Sequence, residues 1–403
     1  MDEFDALRQM RTALAEEEHP HAIELRSDWR TGRKGGGVRR PRSRFVLPLV
    51  SLGATAAVTA GVIAAVSEEP DDARGGTGTL SHEEQGSVLL VAATNALRAP
   101  AGAYWHTKSV SGEVYGVGTS AANHYKVDSR QGVDRWTDRK GKGRQTHLDL
   151  VDVPVTAQDK QKWQAAGSPT WVQVPLPGVP DQKAFLDMSA KPKGSGTRWM
   201  PFDGRYYGLS AAAVAELPTR PQALEKALLA LKGDWHAYTS KPKKEPLGDL
   251  QGTERARALS DVVGTLLSDA PAPPAVRAAA FRVLATLPGI RPEGGATDPL
   301  GRRGTVVSLP LETTVTLGLY TAPQQLGTYR RQFIIDPAAG KLLAIRDLVV
   351  TPPHGSRRLP PGDNGKPRIL RADQMPDRFH RPGEPVSYQV FEVAEWTNER
   401  PPS

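Results

Sequence analysis

RRQFIIDPAAGKLLAIRDLVV, residues 330–350, reads as two β-forming runs joined by a turn. The runs 330–335 and 342–350 are rich in β-branched residues. Between them, Asp336-Pro337-Ala338-Ala339-Gly340 puts proline at the first turn position and glycine where a left-handed backbone is needed. The pattern predicts an antiparallel hairpin. Similar runs at 305–311 and 313–320 precede it, and one at 385–396 closes the chain. A second group, at 103–117, 124–129, 133–137, 145–151 and 170–174, combines aromatic and β-branched residues between turn signals.

Between the two strand groups the apolar period lengthens. Leu224, Ala227, Leu228 and Leu231 follow the cap Thr219-Arg220-Pro221-Gln222. Residues 254–268 carry Leu259, Val262, Val263, Leu266 and Leu267 on one face. Pro274 opens a third helix bearing Val276, Ala280, Val283, Leu284 and Leu287, which Pro288-Gly289 stops. A further helix, 81–97, begins at the capping pattern Ser81-His82-Glu83-Glu84. Hairpin-linked strands on both sides of a helical insert predict an α+β domain: an antiparallel, curved sheet with helices packed on one face.

Upstream of this domain, residues 45–66 (FVLPLVSLGATAAVTAGVIAAV) hold no charge across 22 positions. At about 1.5 Å per residue that length matches a hydrocarbon core of roughly 30 Å. Before it lie Arg26, Arg30, Arg33, Lys34, Arg39, Arg40, Arg42 and Arg44 against one acid, Asp28. After it come Glu68, Glu69, Asp71 and Asp72. A basic flank is retained in the cytoplasm. The expectation is thus a cell-membrane protein with a cytoplasmic tail (1–44), one transmembrane helix (45–66), a linker (67–80) and an extracytoplasmic domain (81–403).

Composition narrows the function classes. The chain of 403 residues has a formal charge of +8, but eight of its 52 basic residues sit just before residue 45, where topology and anionic lipid account for them. Nucleic acid is therefore not an expected partner. Cysteine is absent, which excludes disulfides and thiolate metal sites. In the tail, Phe4, Leu7, Met10 and Leu14 recur at helical spacing, so residues 1–18 could dock a cytoplasmic partner. Gly32 to Arg44 reads as disordered.

Catalytic motifs are thin. His82-Glu83 lacks the second histidine of a zinc helix, and neither a Gly-x-Ser-x-Gly elbow nor a Gly-x4-Gly-Lys phosphate loop occurs. No cofactor is expected. His106, His124 and His147 fall on candidate neighbouring strands near Asp128 and Asp149, a conceivable metal or acid/base cluster. Asp134, Asp138, Asp149 and Asp152 could supply paired carboxylates for sugar chemistry. Trp105, Trp136, Trp163, Trp171, Trp199 and Trp235 cluster in the first half of the outer region. Six such rings either line an apolar ligand groove or form the core, and core is the commoner use.

Four phrases carry a family resemblance: MDEFDALRQMR (1–11), the basic run before residue 45, AAFRVLATLPG (279–289), and the pair DPLGRRG (298–304) with IIDPAAGKLL (334–343). In them the chain resembles uncharacterised actinobacterial single-span membrane proteins encoded beside genes for extracytoplasmic-function sigma factors. The outer domain is loosely similar to the lipoprotein-carrier fold, an open half-barrel plugged by helices. The resemblance implies a membrane-anchored binding or signalling protein with a lipid or lipoprotein ligand and a link to sigma-factor regulation. It brings no catalytic residues. The alternative expectation is a cell-envelope hydrolase acting on glycan.

Overall fold

The hairpin of residues 330–350 sits inside a ten-stranded antiparallel sheet. A computed structural model describes residues 82–402 except 149, 177–178, 190–198, 234, 236–244, 311–315, 318–319, 322–325 and 360–366. In chain order the sheet strands are β1 (Tyr104–Gly118), β2 (His124–Asp138), β3 (Lys142–Leu148), β4 (Val153–Pro154), β5 (Met200–Asp203), β6 (Arg291–Thr297), β7 (Arg303–Ser308), β8 (Thr328–Asp336), β9 (Lys341–Thr351) and β10 (Pro385–Thr397). Their order across the sheet is β6-β7-β8-β9-β10-β1-β2-β3-β5, with β4 beside β2. The C-terminal strand therefore joins the two strand groups, pairing with β1 on one side and β9 on the other. The path is unclosed. Both edge strands contain proline, Pro201 in β5 and Pro292 in β6, and β6 also bulges between Pro292 and Gly295. Missing N–H groups and a bulge blunt edge-to-edge pairing with other chains.

Among the described residues six α-helices accompany the sheet: α1 (His82–Leu97), α2 (Ala157–Ala165), α3 (Ala211–Ala215), α4 (Pro221–Leu229), α5 (Gly252–Leu267) and α6 (Pro274–Thr286). The largest core cluster brings Val307 of β7, Phe333 and Ile335 of β8, Leu342 of β9, and Phe391 and Ala394 of β10 against residues of α1, α4, α5 and α6. Alanines line both helices where α1 packs on α6: Ala92, Ala93 and Ala96 of one and Ala278, Ala279 and Ala280 of the other belong to that cluster, all essentially without exposure. The next residue along several strands points the other way. Val306, Ile334 and Leu343 join Ala344 and Val390 in a separate cluster, as a two-residue period requires.

Among the described residues no helix is long and apolar enough to cross a membrane. The expected fold class, which included a membrane-crossing helix, is corrected to an α+β fold built on a large antiparallel sheet. The longest helices, α1 and α5, have 16 residues each. That is about 24 Å, short of a bilayer's roughly 30 Å. Helix α5 also carries Glu254, Arg255, Arg257 and Asp261. Residues 45–66, on which that expectation rested, lie outside the described residues, as do the tail and its expected docking helix.

Candidate functional site

Among the described residues five two-stranded ribbons lie outside the main sheet, and two of them touch each other. The first pairs Trp171–Leu176 with Val179–Asp187, and the second pairs Ser356–Leu359 with Arg368–Arg371. Alternation gives each an inner and an outer face. Val172, Val174 and Leu186 turn inward onto Val117, Tyr125 and Val127 of β1 and β2. Leu370 turns inward onto Tyr329, Val349 and Met375. The outer faces hold three of the larger exposed apolar side chains, Trp171 at 37 %, Phe185 at 36 % and Ile369 at 45 % exposure. The strand Arg368–Arg371 lies against the strand Val179–Asp187, so the ribbons touch. Single exposed apolar residues need no explanation, but three on adjoining strands mark a contact surface. A second apolar exposure on α1 comprises Leu90, Val91 and Leu97, of which Leu90 and Val91 line a shallow depression of about 360 Å³ with Thr94 and Asn95.

The six tryptophans do not share one place. Trp105 and Trp235, each 1 % exposed, belong to the helix-side core. Trp105 donates through Nε1 to the Ser268 carbonyl at 3.2 Å, meets Trp396 edge-on at 5.6 Å, and lies 5.0 Å from the guanidinium of the buried Arg277. Burial pulls Arg277 down to about 10. Trp136 is buried, stacked at 3.9 Å on His106. Trp163 packs at the margin of the cluster under the first ribbon, and Trp199 is half-buried before β5. Trp171 is the most exposed of the six.

The histidines likewise separate. His106 contacts Asp134 at 3.0 Å through Nε2. His124 stands at the other end of the β1–β2 pair, opposite Gly118 and near the Phe379 ring at 4.6 Å. His147 pairs in register with Val133. Among the described residues no three His, Cys, Asp or Glu side chains are grouped so as to hold a metal ion.

A cluster of perturbed ionisable groups lies where the segment 372–384 packs beside β1 and β2. Tyr388 on β10 donates its hydroxyl to Asp128 at 2.7 Å, reaching it above Gly112, whose missing side chain makes the room. The other Asp128 oxygen is buried without a partner. Burial pushes Asp128 up to about 6, against the pull of Tyr388 and Arg130. Asp377, which accepts from the Tyr329 hydroxyl at 2.9 Å, and Asp152 are likewise raised by burial to about 6. Asp152 accepts backbone N–H bonds from Arg130 at 3.3 Å and from Asp187 at 2.7 Å. Nearby, Lys126 is paired with Glu384, and burial followed by Lys126 holds His380 below the ordinary imidazole range. Perturbed groups of this kind gather at functional sites and in structural networks alike. Here Asp128 is 1 % exposed and Asp152 spends both oxygens on backbone amides. Their geometry ties β2, β10 and the first ribbon together.

The signs of these shifts give a stability test. A carboxylate whose folded pKa is raised from 3.8 to about 6 binds more protons folded than unfolded between those values. Stability from it is full below about pH 4 and is lost as pH rises through about 6. His380 acts in reverse, withdrawing stability as pH falls below its unfolded value of 6.5. Asp128→Asn should therefore be more stable than the wild type at pH 7.5, by on the order of 2 kcal/mol. Urea unfolding should show that gain vanishing by pH 4. Equal stability at pH 7.5 would show that the buried charge is not penalised.

Sequence reading missed Phe185, Ile369, Lys183, Arg358 and Arg371 as surface candidates. The alternation around Trp171 and Phe185 was the available signal. Asp128 and Tyr388 are 260 positions apart, so no spacing rule could have joined them. No family model matches the chain, no curated protein matches it, and no solved structure matches its fold.

Proposed function

We propose that the domain of residues 82–402 is a binding and signalling module on the outer side of the cell membrane, taking a lipid-like or lipoprotein ligand. The observation that carries this is the exposed apolar surface of Trp171, Phe185 and Ile369 on the two touching ribbons. Each ribbon is braced from beneath by buried aliphatic residues, so the exposed rings are held on a fixed base. A pre-formed apolar surface binds with little ordering cost. The outward location is supported by the switch from basic residues before position 45 to acidic residues after position 66.

Acrylamide quenching tests the binding reading. Trp105, Trp136 and Trp235 are buried but Trp163, Trp199 and Trp396 are only half-buried, so the Trp171 signal is taken as the difference between wild type and Trp171→Phe. An envelope extract of lipids and lipoproteins added to the full chain should protect Trp171, and Trp171→Phe should remove the protected signal. Quenching unchanged by the extract would sink the reading. Protease that fails to reach the domain in intact cells would remove its outward location. A link from residues 1–18 to a sigma factor rests on the family resemblance alone. Unaltered sigma-dependent transcription after deletion of residues 1–44 would dispose of it.

A further inference from the structure

We infer that the paired ribbons dock on an anionic lipid surface, with arginine and lysine on headgroup phosphates and Trp171, Phe185 and Ile369 at the headgroup boundary. This rests on the binding reading above and names its ligand class. The strand register supplies the argument. In the first ribbon Trp171, Gln173 and Pro175 pair with Asp187, Phe185 and Lys183. Trp171, Phe185 and Lys183 therefore share the outer face. In the second ribbon Ser356 pairs with Arg371 and Arg358 with Ile369, which puts two arginines and an isoleucine on one face. Lys183, Arg358 and Arg371 are all exposed. Arg371 is shared with Asp373 at 2.8 Å, but both side chains are more than half exposed, so a phosphate can compete for that guanidinium. Asp187 is buried and turned to the Ser189 N–H at 2.9 Å, so it does not oppose the cations.

The chemistry favours a lipid surface over a folded partner. Tryptophan sits at the headgroup level of bilayers, where its ring is apolar and its N–H wet. Arginine forks onto phosphate in a bidentate manner. Each cation near an anionic leaflet contributes on the order of 1 kcal/mol, so a few residues suffice. A stable protein partner would need roughly 800 Å² on each side with a packed central anchor. Three partly exposed apolar residues sharing their ribbon faces with Lys183, Arg358 and Arg371 fit the first description better.

The test uses the full chain with brominated-lipid vesicles, of phosphatidylcholine alone or with phosphatidylglycerol added. The readout is quenching of Trp171 fluorescence, taken as the difference between wild type and Trp171→Phe. This isolates the ribbon from any other segment that partitions into lipid. Quenching is expected with phosphatidylglycerol and not without it. Arg358→Gln with Arg371→Gln should weaken the effect roughly thirtyfold, two cations at the per-charge value above. Both residues are exposed, so far-UV circular dichroism should be unchanged. Absent quenching with phosphatidylglycerol, equal quenching in both vesicles, or an undiminished response in the arginine variant each overturns the inference. If the envelope extract protects Trp171 while anionic vesicles do not, the lipid assignment falls and the binding reading stands. If neither acts, both fall.

Discussion

Gly340→Ala should destabilise the domain by about 3 kcal/mol or more, read by urea unfolding of the purified chain. Gly340 closes the β8–β9 hairpin at φ +61°, in the left-handed region. An L-residue there costs roughly 1–2 kcal/mol by itself. The larger penalty is steric. A Cβ on Gly340 would stand 2.2 Å from the Ala96 nitrogen and 2.8 Å from the Ala92 carbonyl oxygen. Those are backbone atoms of α1 and cannot swing aside. The hairpin turn is a docking point for the first helix, reinforced by Asn95 donating to the Pro337 carbonyl at 2.9 Å. Gly355→Ala is the control. It shares a left-handed φ of +72° but has nothing within 4 Å of its added Cβ, so it should lose only about 1 kcal/mol. Equal losses at the two positions would show that α1 does not press on the turn.

Trp105→Ala should cost about 3–5 kcal/mol, the range for emptying a buried aromatic site. Three things go with the ring: its burial under α5 and α6, its bond to the Ser268 carbonyl, and the face it offers Arg277. Arg277 would then be a buried cation bordered by a cavity. Its Nε already lacks a partner. Ligand protection of Trp171 should persist in Trp105→Ala at temperatures where the variant stays folded. Loss of protection without loss of stability would instead place Trp105 in a binding groove. The same experiment therefore separates the two uses of tryptophan that the sequence left open.

Local signals were legible wherever neighbours in sequence decide the outcome. The hairpin of 330–350 appears with its turn intact, and the Asp336 carboxylate accepts the Ala339 N–H at 2.9 Å. Helices α1, α5 and α6 and the strands β1 and β10 match their expected limits within one or two residues. Failures came from glycine and proline. Gln131-Gly132 reads as a break, yet β2 runs unbroken from His124 to Asp138, because Gly132 sits beneath Leu148 of β3. No strand was expected over the Gly- and Pro-rich β6, and partnership with β7 makes it one. The nine-residue α2 has little apolar periodicity. Its stability comes from the Thr156–Asp159 capping box and from Asp159 receiving the Lys126 N–H at 2.8 Å.

The candidate surface shows the same division. Trp171 was singled out for its residue type, whereas Phe185, Ile369 and the cations beside them were not. Their ribbons begin 185 positions apart by their first residues, Trp171 and Ser356, and each contributes too few exposed residues to stand out alone. By itself the sequence determined most of the longer elements, the mixture of helix and antiparallel strand, and the absence of thiol chemistry, since these follow from backbone preference, side-chain period and composition. Only the tertiary structure decided which apolar residues face water and which carboxylates lose it. Exposure and desolvation depend on what the rest of the chain lays over a residue, and strand order, here β10 between β1 and β9, sets that covering.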